Sequence, residues 1–252
     1  MGASILKISD KLFNQYSNYY DQNSLTNKRA LAAIQSVEHV LQASSGHVTN
    51  LLDIGAGEGA VLSEFHRRGF SANLFAVEIS KSGIDAIRSR KIPTLRAVNQ
   101  FDGYHIDAEN HEYDLGTAIH VLEHVEHERA FLAEIARVCS KTYIEVPLEM
   151  TIKLNKSIRI SKQYGHINFY NSRTFQNLLE TSGLEVLSFQ VFSNSLDYER
   201  HVSGPLMGTI KYLIRRSFLF ILPEIAPYFM TYLAGALCKK REAIESEIGW
   251  KG

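Results

Sequence analysis

Leu51-Leu52-Asp53-Ile54-Gly55-Ala56-Gly57-Glu58-Gly59-Ala60-Val61-Leu62 runs from an apolar strand through a glycine-rich turn into a helix. Glycines permit positive φ and let a ligand approach the backbone, while the N-terminus of the following helix adds a positive dipole. Such a turn also serves tight strand-to-helix packing, and it occurs in dinucleotide folds. Two features narrow the choice. Asp53 stands just before the first glycine, where a carboxylate repels a pyrophosphate and attracts a cationic amino-acid ligand. The glycines fall at 55, 57 and 59, so a dinucleotide fingerprint would need Ala60 in place of its last glycine. Glu78 closes the next apolar run, 25 positions after Asp53. An acid there is placed to accept both hydroxyls of a ribose; its other reading is a solvated strand end.

Outward from this turn, short β-branched or apolar runs at 50–54, 72–78, 94–98, 113–119, 141–146 and 184–192 read as strands. Helical spacing falls between them, near 58–69, 80–90, 126–138 and 172–182. This alternation predicts a doubly wound α/β fold, a mainly parallel sheet with helices on both faces. The run 229–237 reads as a final strand that completes seven. Ahead of the turn, Thr26–Gln42 carries apolar residues at helical spacing, and Phe13, Tyr16, Tyr19 and Tyr20 precede it. Residues 1–45 are expected to form an N-terminal helical cap on a single domain over 46–252. The apolar, basic stretch 206–222 is expected to be a helix covering the sheet, with an interfacial helix as its alternative.

Composition bounds the partners. With 252 residues, 45% of them hydrophobic and 21% charged, the chain is ordinary globular protein. Lys plus Arg equals Asp plus Glu at 27 each, so no global field draws it toward nucleic acid. The apolar stretch 217–238 is broken by Pro223, Glu224 and Pro227, and its uncharged remainder is shorter than the roughly 20 residues a bilayer span needs. Peripheral contact with a membrane stays open. Residues 1–20 hold no continuous apolar run of a signal peptide. Cys139 and Cys238 read as buried thiols, and the expectation is a cytoplasmic monomer or homodimer.

Taken together, residues 48–146 resemble a class I S-adenosylmethionine-dependent methyltransferase, and the likeness extends to about residue 192. Asp53-Ile54-Gly55-Ala56-Gly57-Glu58-Gly59 is similar to its first motif, Glu78 to its ribose acid, and Tyr113-Asp114-Leu115 with His120-Val121-Leu122-Glu123-His124-Val125 to its fourth strand and the segment beyond. Gly165-His166-Ile167-Asn168-Phe169-Tyr170 matches a pattern of its small-molecule and ubiquinone-type branches. The resemblance implies S-adenosylmethionine as cofactor and S-adenosylhomocysteine as product. It implies cofactor contacts at Asp53, Gly55, Ala56, Gly57, Glu78, Ile79, Asp102 and His120. The adenine contact stays open among Asn99, Gln100 and Asp102, because the family often has Asp followed by a small residue after the third strand and the segment here reads Val98-Asn99-Gln100-Phe101-Asp102.

On the acceptor side, five of the ten histidines (His105, His111, His120, His124 and His127) fall within 23 residues around the fourth strand. His120 sits where open α/β sheets place ligands, at a strand's carboxyl end; it can instead simply cap the strand. His120-x-x-Glu123-His124 sets three potential ligands at i, i+3 and i+4, and His166 is a candidate fourth. The set resembles the metal-binding residues of small-RNA 2′-O-methyltransferases and of some ubiquinone-pathway O-methyltransferases, although both carry Glu where His120 stands. Imidazoles suit Zn, Mn or Fe better than Mg. Without metal, His124 or His166 is the candidate general base. Glu145 faces either the acceptor or solvent, and the basic segment 148–170 reads as a substrate lid or a solvated loop. The expected activity is O-methylation of a small or carrier-linked acceptor. The competing readings are an RNA-end or tRNA methyltransferase, a non-catalytic binding protein of the same fold, and, more distantly, a nicotinamide oxidoreductase.

Overall fold

The computed structural model of the chain describes Ser9 and residues 26–242. Helix α1 (Thr26–Ala43) leads into β1 (Val48–Ile54), α2 (Ala60–Arg68), β2 (Ser71–Glu78), α3 (Lys81–Ser89), β3 (Leu95–Gln100) and β4 (Tyr113–Ile119). A 3-10 turn (Leu122–His124) precedes α4 (Glu128–Val138) and β5 (Cys139–Leu148). Then come α5 (Leu154–Ser161), a second 3-10 turn (Lys162–Tyr164), α6 (Ser172–Thr181), β6 (Leu184–Phe192), α7 (Leu196–Ser203), α8 (Pro205–Ile221), α9 (Ala226–Phe229) and β7 (Tyr232–Lys240). The aromatic cluster Phe13, Tyr16, Tyr19 and Tyr20 lies outside the described residues.

The strands form one sheet in the order β3-β2-β1-β4-β5-β7-β6. β1 to β5 pair in parallel, and β7 runs antiparallel between β5 and β6. Alternation along each strand feeds two cores. Leu52 and Ile54 point into one with Phe131, Ile135, Phe175 and Leu179, while Leu51 points into the other with Val37, Leu62, Phe65 and Ile87. Local signals set the helix starts. Ser80 Oγ accepts from Gly83 N–H at 3.1 Å to cap α3, and Asn171 with Thr174 forms a capping box on α6. Cys139 and Cys238 are free and buried.

Two expectations at the C-terminal end need correction. The last strand starts at Tyr232, not 229, because Ala226–Phe229 closes a helical turn with Pro227 inside it. The helix near 206–222 forms, but only a narrow face of it turns inward, where half-buried Phe218 and Leu219 pack against the core. Gly208 is its one buried residue, and a Cβ there would run into the backbone of Glu199 and Arg200 on α7. Its narrow face therefore packs on α7, and Leu206, Leu213, Phe220 and Ile221 point into solvent. Among the described residues no helix is long and apolar enough to cross a membrane.

Candidate functional site

The connections from β1 and β4 leave the sheet on opposite sides, because β2 flanks one and β5 the other. A crevice opens at such a switch point, at the carboxyl ends of the strands. Here it is a cavity of about 540 Å³ that runs from the glycine turn to the segment after β5.

One end is built from β1 and β2. Gly55 takes φ +70°, and a Cβ there would stand 2.7 Å from Val121 Cγ2, so both the turn and its neighbour require glycine. Glu78 is buried, with Oε2 accepting from Gly57 N–H at 2.8 Å and Oε1 from Ser80 N–H at 2.9 Å. Each oxygen keeps a further lone pair for a ligand. Asp53 is buried beside it. Its Oδ1 accepts from the Thr117 hydroxyl at 2.8 Å, and its Oδ2 has no partner among the described residues. Burial, opposed by the Thr117 hydrogen bond and reinforced by the charge of Glu78, pushes the Asp53 carboxyl up to about 7. Ile79, Phe101 and Tyr104 continue the wall.

The folded chain holds the Asp53 proton up to about pH 7, whereas the unfolded chain releases it near 3.8. Asp53 therefore withdraws stability as pH rises through this window, by at most on the order of 4 kcal/mol. In denaturant unfolding of the ligand-free protein, the Asp53→Asn chain should gain on the wild type between pH 4 and 7. A stability difference flat across that range would refute the assignment.

The other end is a chain of buried charges. His120 adopts φ +56°, and its ring lies between Glu123 Oε1 at 3.3 Å and Glu145 Oε1 at 3.4 Å. Burial alone would lower its pKa, but hydrogen bonds and charge from the two carboxylates raise it to about 10, so the ring is cationic. Glu145 also accepts from Ser36 Oγ on α1 at 2.7 Å. Glu123 is fully buried. Against the penalty of burial, His120 and the neighbouring histidines lower its pKa and keep it ionised, and its Oε2 has no hydrogen-bond partner among the described residues. His124 is driven the other way, mainly by burial and further by His166, so it is neutral. The His124 and His166 rings meet edge to face with centroids 4.8 Å apart. His166 Nδ1 lies 2.7 Å from Glu149 Oε2. A carboxylate only accepts, so the Nδ1–H donates to Glu149 and fixes the orientation of the His166 ring.

Most of the residues singled out in the sequence meet in this cavity: Asp53, Gly55, Ala56, Gly57, Glu78, Ile79, His120, Glu123, His124 and His166 all line it. Three expectations change. Asp102 lines a smaller neighbouring cavity, and its Oδ1 accepts from the backbone N–H of Tyr104 and His105, closing a turn. Glu145 faces neither acceptor nor solvent but lies buried beneath His120. The four-ligand set reduces to three, since Glu123, His124 and His166 offer atoms within 4.8 Å of one another while His120 is held between two carboxylates. The basic segment after β5 carries α5 and supplies Tyr164 and His166 to the cavity wall. Sequence reasoning missed Arg29 and Ser36 from α1, Tyr198 from α7 and Leu233 from β7. Arg29 pairs with Glu58 of the glycine turn at 3.1 Å.

The sequence matches the methyltransferase-domain family over residues 13–189. No curated protein matches it. Among solved structures, the complex between the Haloferax volcanii Trm112 methyltransferase activator and the putative methyltransferase aligns at TM-score 0.64 and 12% identity, covering 92% of this chain and 99% of that one. Geranyl diphosphate C-methyltransferase from Streptomyces coelicolor A3(2), in complex with Mg²⁺, geranyl diphosphate and S-adenosyl-L-homocysteine, aligns at 0.63 and 12% identity over 92% of this chain and all (100%) of that one. Haemonchus contortus phosphoethanolamine N-methyltransferase 2, with phosphomonomethylethanolamine and S-adenosylhomocysteine, aligns at 0.64 and 12% identity over 93% of this chain and 61% of that one.

Proposed function

The chain belongs to the class I S-adenosylmethionine-dependent methyltransferases, and from that premise we propose that it methylates an oxygen of a small or carrier-linked acceptor. The observation that carries the proposal is the unpartnered, buried Glu123 Oε2 beside His124 and His166, in the same cavity as Asp53 and Glu78. The Asp53 Oδ2 atom receives the ammonium of the methionine moiety, and Glu78 receives the ribose hydroxyls. Ile79 and Phe101 flank the adenine. This orientation turns the sulfonium toward the histidines.

Transfer is an in-line displacement. The acceptor oxygen forms its bond to the methyl carbon as the carbon–sulfur bond breaks, and the electron pair stays on sulfur as a thioether. The acceptor's proton must leave, and His124, kept neutral by its burial, is the group that accepts it. Glu149 orients the His166 ring beside His124 at the acceptor end of the cavity, while cationic His120 balances the charge of Glu123.

Glu123, His124 and His166 also fit a divalent cation, because a buried anionic oxygen lacks a donor and an imidazole is oriented by an outer carboxylate. When bound, such an ion would lower the pKa of an acceptor hydroxyl. Incubating cell extract with methyl-labelled S-adenosylmethionine and the protein, then examining products by mass spectrometry, tests the acceptor class. Label in an O-methyl group of a small or carrier-bound product is expected. Label confined to RNA or protein would reject this reading.

The aromatic segment ahead of α1 is proposed to close over the cavity and exclude water during transfer. Ser9, close by in sequence, donates its N–H to Glu126 Oε2 on the cavity rim at 2.9 Å. Removing residues 1–24 should therefore reduce turnover, and S-adenosylhomocysteine should slow proteolysis within them. Full turnover after that deletion would dismiss the role.

A further inference from the structure

We propose that the face formed by α8 and the segment carrying α5 docks on an anionic lipid bilayer. On α8, Leu206 (73% exposed), Leu213, Phe220 (86%) and Ile221 share one outward arc. At 100° per residue that arc is roughly 140° wide with its neighbours included. Exposed Lys211 and Arg216 border it on either side. The opposite face is fastened down. Arg215 donates to the Thr231 carbonyl at 2.9 Å and lies 3.6 Å from Glu199, and Gly208 meets α7. The helix is thus held with its apolar side outward.

The α5 segment continues the same surface. Ile152 (65% exposed) donates its N–H to the Tyr228 carbonyl at 2.7 Å, and Phe229 of α9 packs against Phe218 of α8 with centroids 6.0 Å apart. Ile160 and Tyr164 are exposed among Lys153, Lys156, Arg159 and Lys162.

Charge selects the occupant. Residues 150–179 and 200–223 contain no Asp or Glu, and they hold five and four Lys or Arg, in a chain whose charges otherwise balance. A twofold contact with a second copy would set these cations against themselves. An anionic bilayer offers both an apolar layer for the exposed side chains and headgroups for the flanking cations. The docked face borders the cavity, since Tyr164, His166 and Thr231 line it. Delivery of a bilayer-held acceptor to that mouth rests on the transferase reading; the docking does not.

Flotation of the full chain with vesicles of phosphatidylcholine, with and without phosphatidylglycerol, tests the inference. Binding is expected to the anionic vesicles, to fall in high salt, and to be weak on phosphatidylcholine alone. The double change Phe220→Asp with Ile221→Asp, and the double change Lys211→Glu with Arg216→Glu, should each weaken binding about tenfold or more. Both variants should keep the wild-type melting temperature and the wild-type response to S-adenosylhomocysteine. No flotation of the wild type would overturn the proposal, as would flotation indifferent to both variants. A wild-type dimer that Phe220→Asp converts to monomer, without vesicle binding, would give the face to self-association instead. A wild type that floats but does not bind S-adenosylhomocysteine would leave the docking standing and remove the transferase reading.

Discussion

Alanine at His124 or at His166 is expected to lower methyl-transfer turnover by roughly 10²- to 10⁴-fold, the range lost when a positioned acid–base group is removed. The cause is geometric. His124 is neutral because it is buried, and its ring abuts His166, whose orientation Glu149 fixes. Removing either ring dismantles one acceptor-binding unit, so the double variant should be little worse than either single one. A chelator separates the two forms of the proposal. If Glu123, His124 and His166 hold a cation, chelation abolishes turnover and leaves S-adenosylhomocysteine binding intact, since Asp53 and Glu78 lie in the other half of the cavity. Turnover that survives chelation but not His124→Ala assigns the proton to His124 alone. Full activity in both alanine variants would refute the acceptor site.

The second large effect falls on the cofactor. Glu78→Ala should weaken S-adenosylhomocysteine about 10- to 150-fold, which corresponds to the roughly 1.5–3 kcal/mol of a lost charge-assisted hydrogen bond. Glu78 does two things at once, because the oxygens available to a ribose already accept from Gly57 and Ser80 N–H. The variant should therefore also lose some thermal stability, as two backbone donors forfeit their acceptor. Glu78→Gln keeps the shape but turns an amide toward one of those donors, so it should bind between the wild type and the alanine variant. Unchanged affinity in Glu78→Ala would place the ribose elsewhere.

The sequence revealed what short-range chemistry decides. The turn after Ile54, the acid ending β2 and the pair of histidines on either side of β5 are each local patterns with a physical reason. They converge because alternating strands and helices bring strand ends together at a single switch point. What escaped was tertiary. The apolar arc of α8 has the same periodicity whether it faces a core or solvent, and only the packing of Gly208 on α7 shows which. Glu145 follows the alternation of β5, yet its burial becomes apparent only once Ser36 of α1 and His120, just past β4, reach it. Asp102 carries a carboxylate in the expected place after β3, but two backbone N–H groups of its own turn engage it. The contribution of α1 to the cavity had no local signature, since Arg29 and Ser36 read as ordinary polar positions on a helix.

The central claim is that the cavity at the β1–β4 switch point is an S-adenosylmethionine site. Calorimetric titration of the full chain with S-adenosylhomocysteine, alongside an identical titration with NAD, addresses it most directly. The expected result is one micromolar-range site for S-adenosylhomocysteine and no measurable heat with NAD. Affinity should also rise with pH between about 6 and 8, because the ligand's ammonium favours the ionised form of an Asp53 carboxyl whose pKa stands at about 7. Tight NAD binding with no response to S-adenosylhomocysteine would contradict the account.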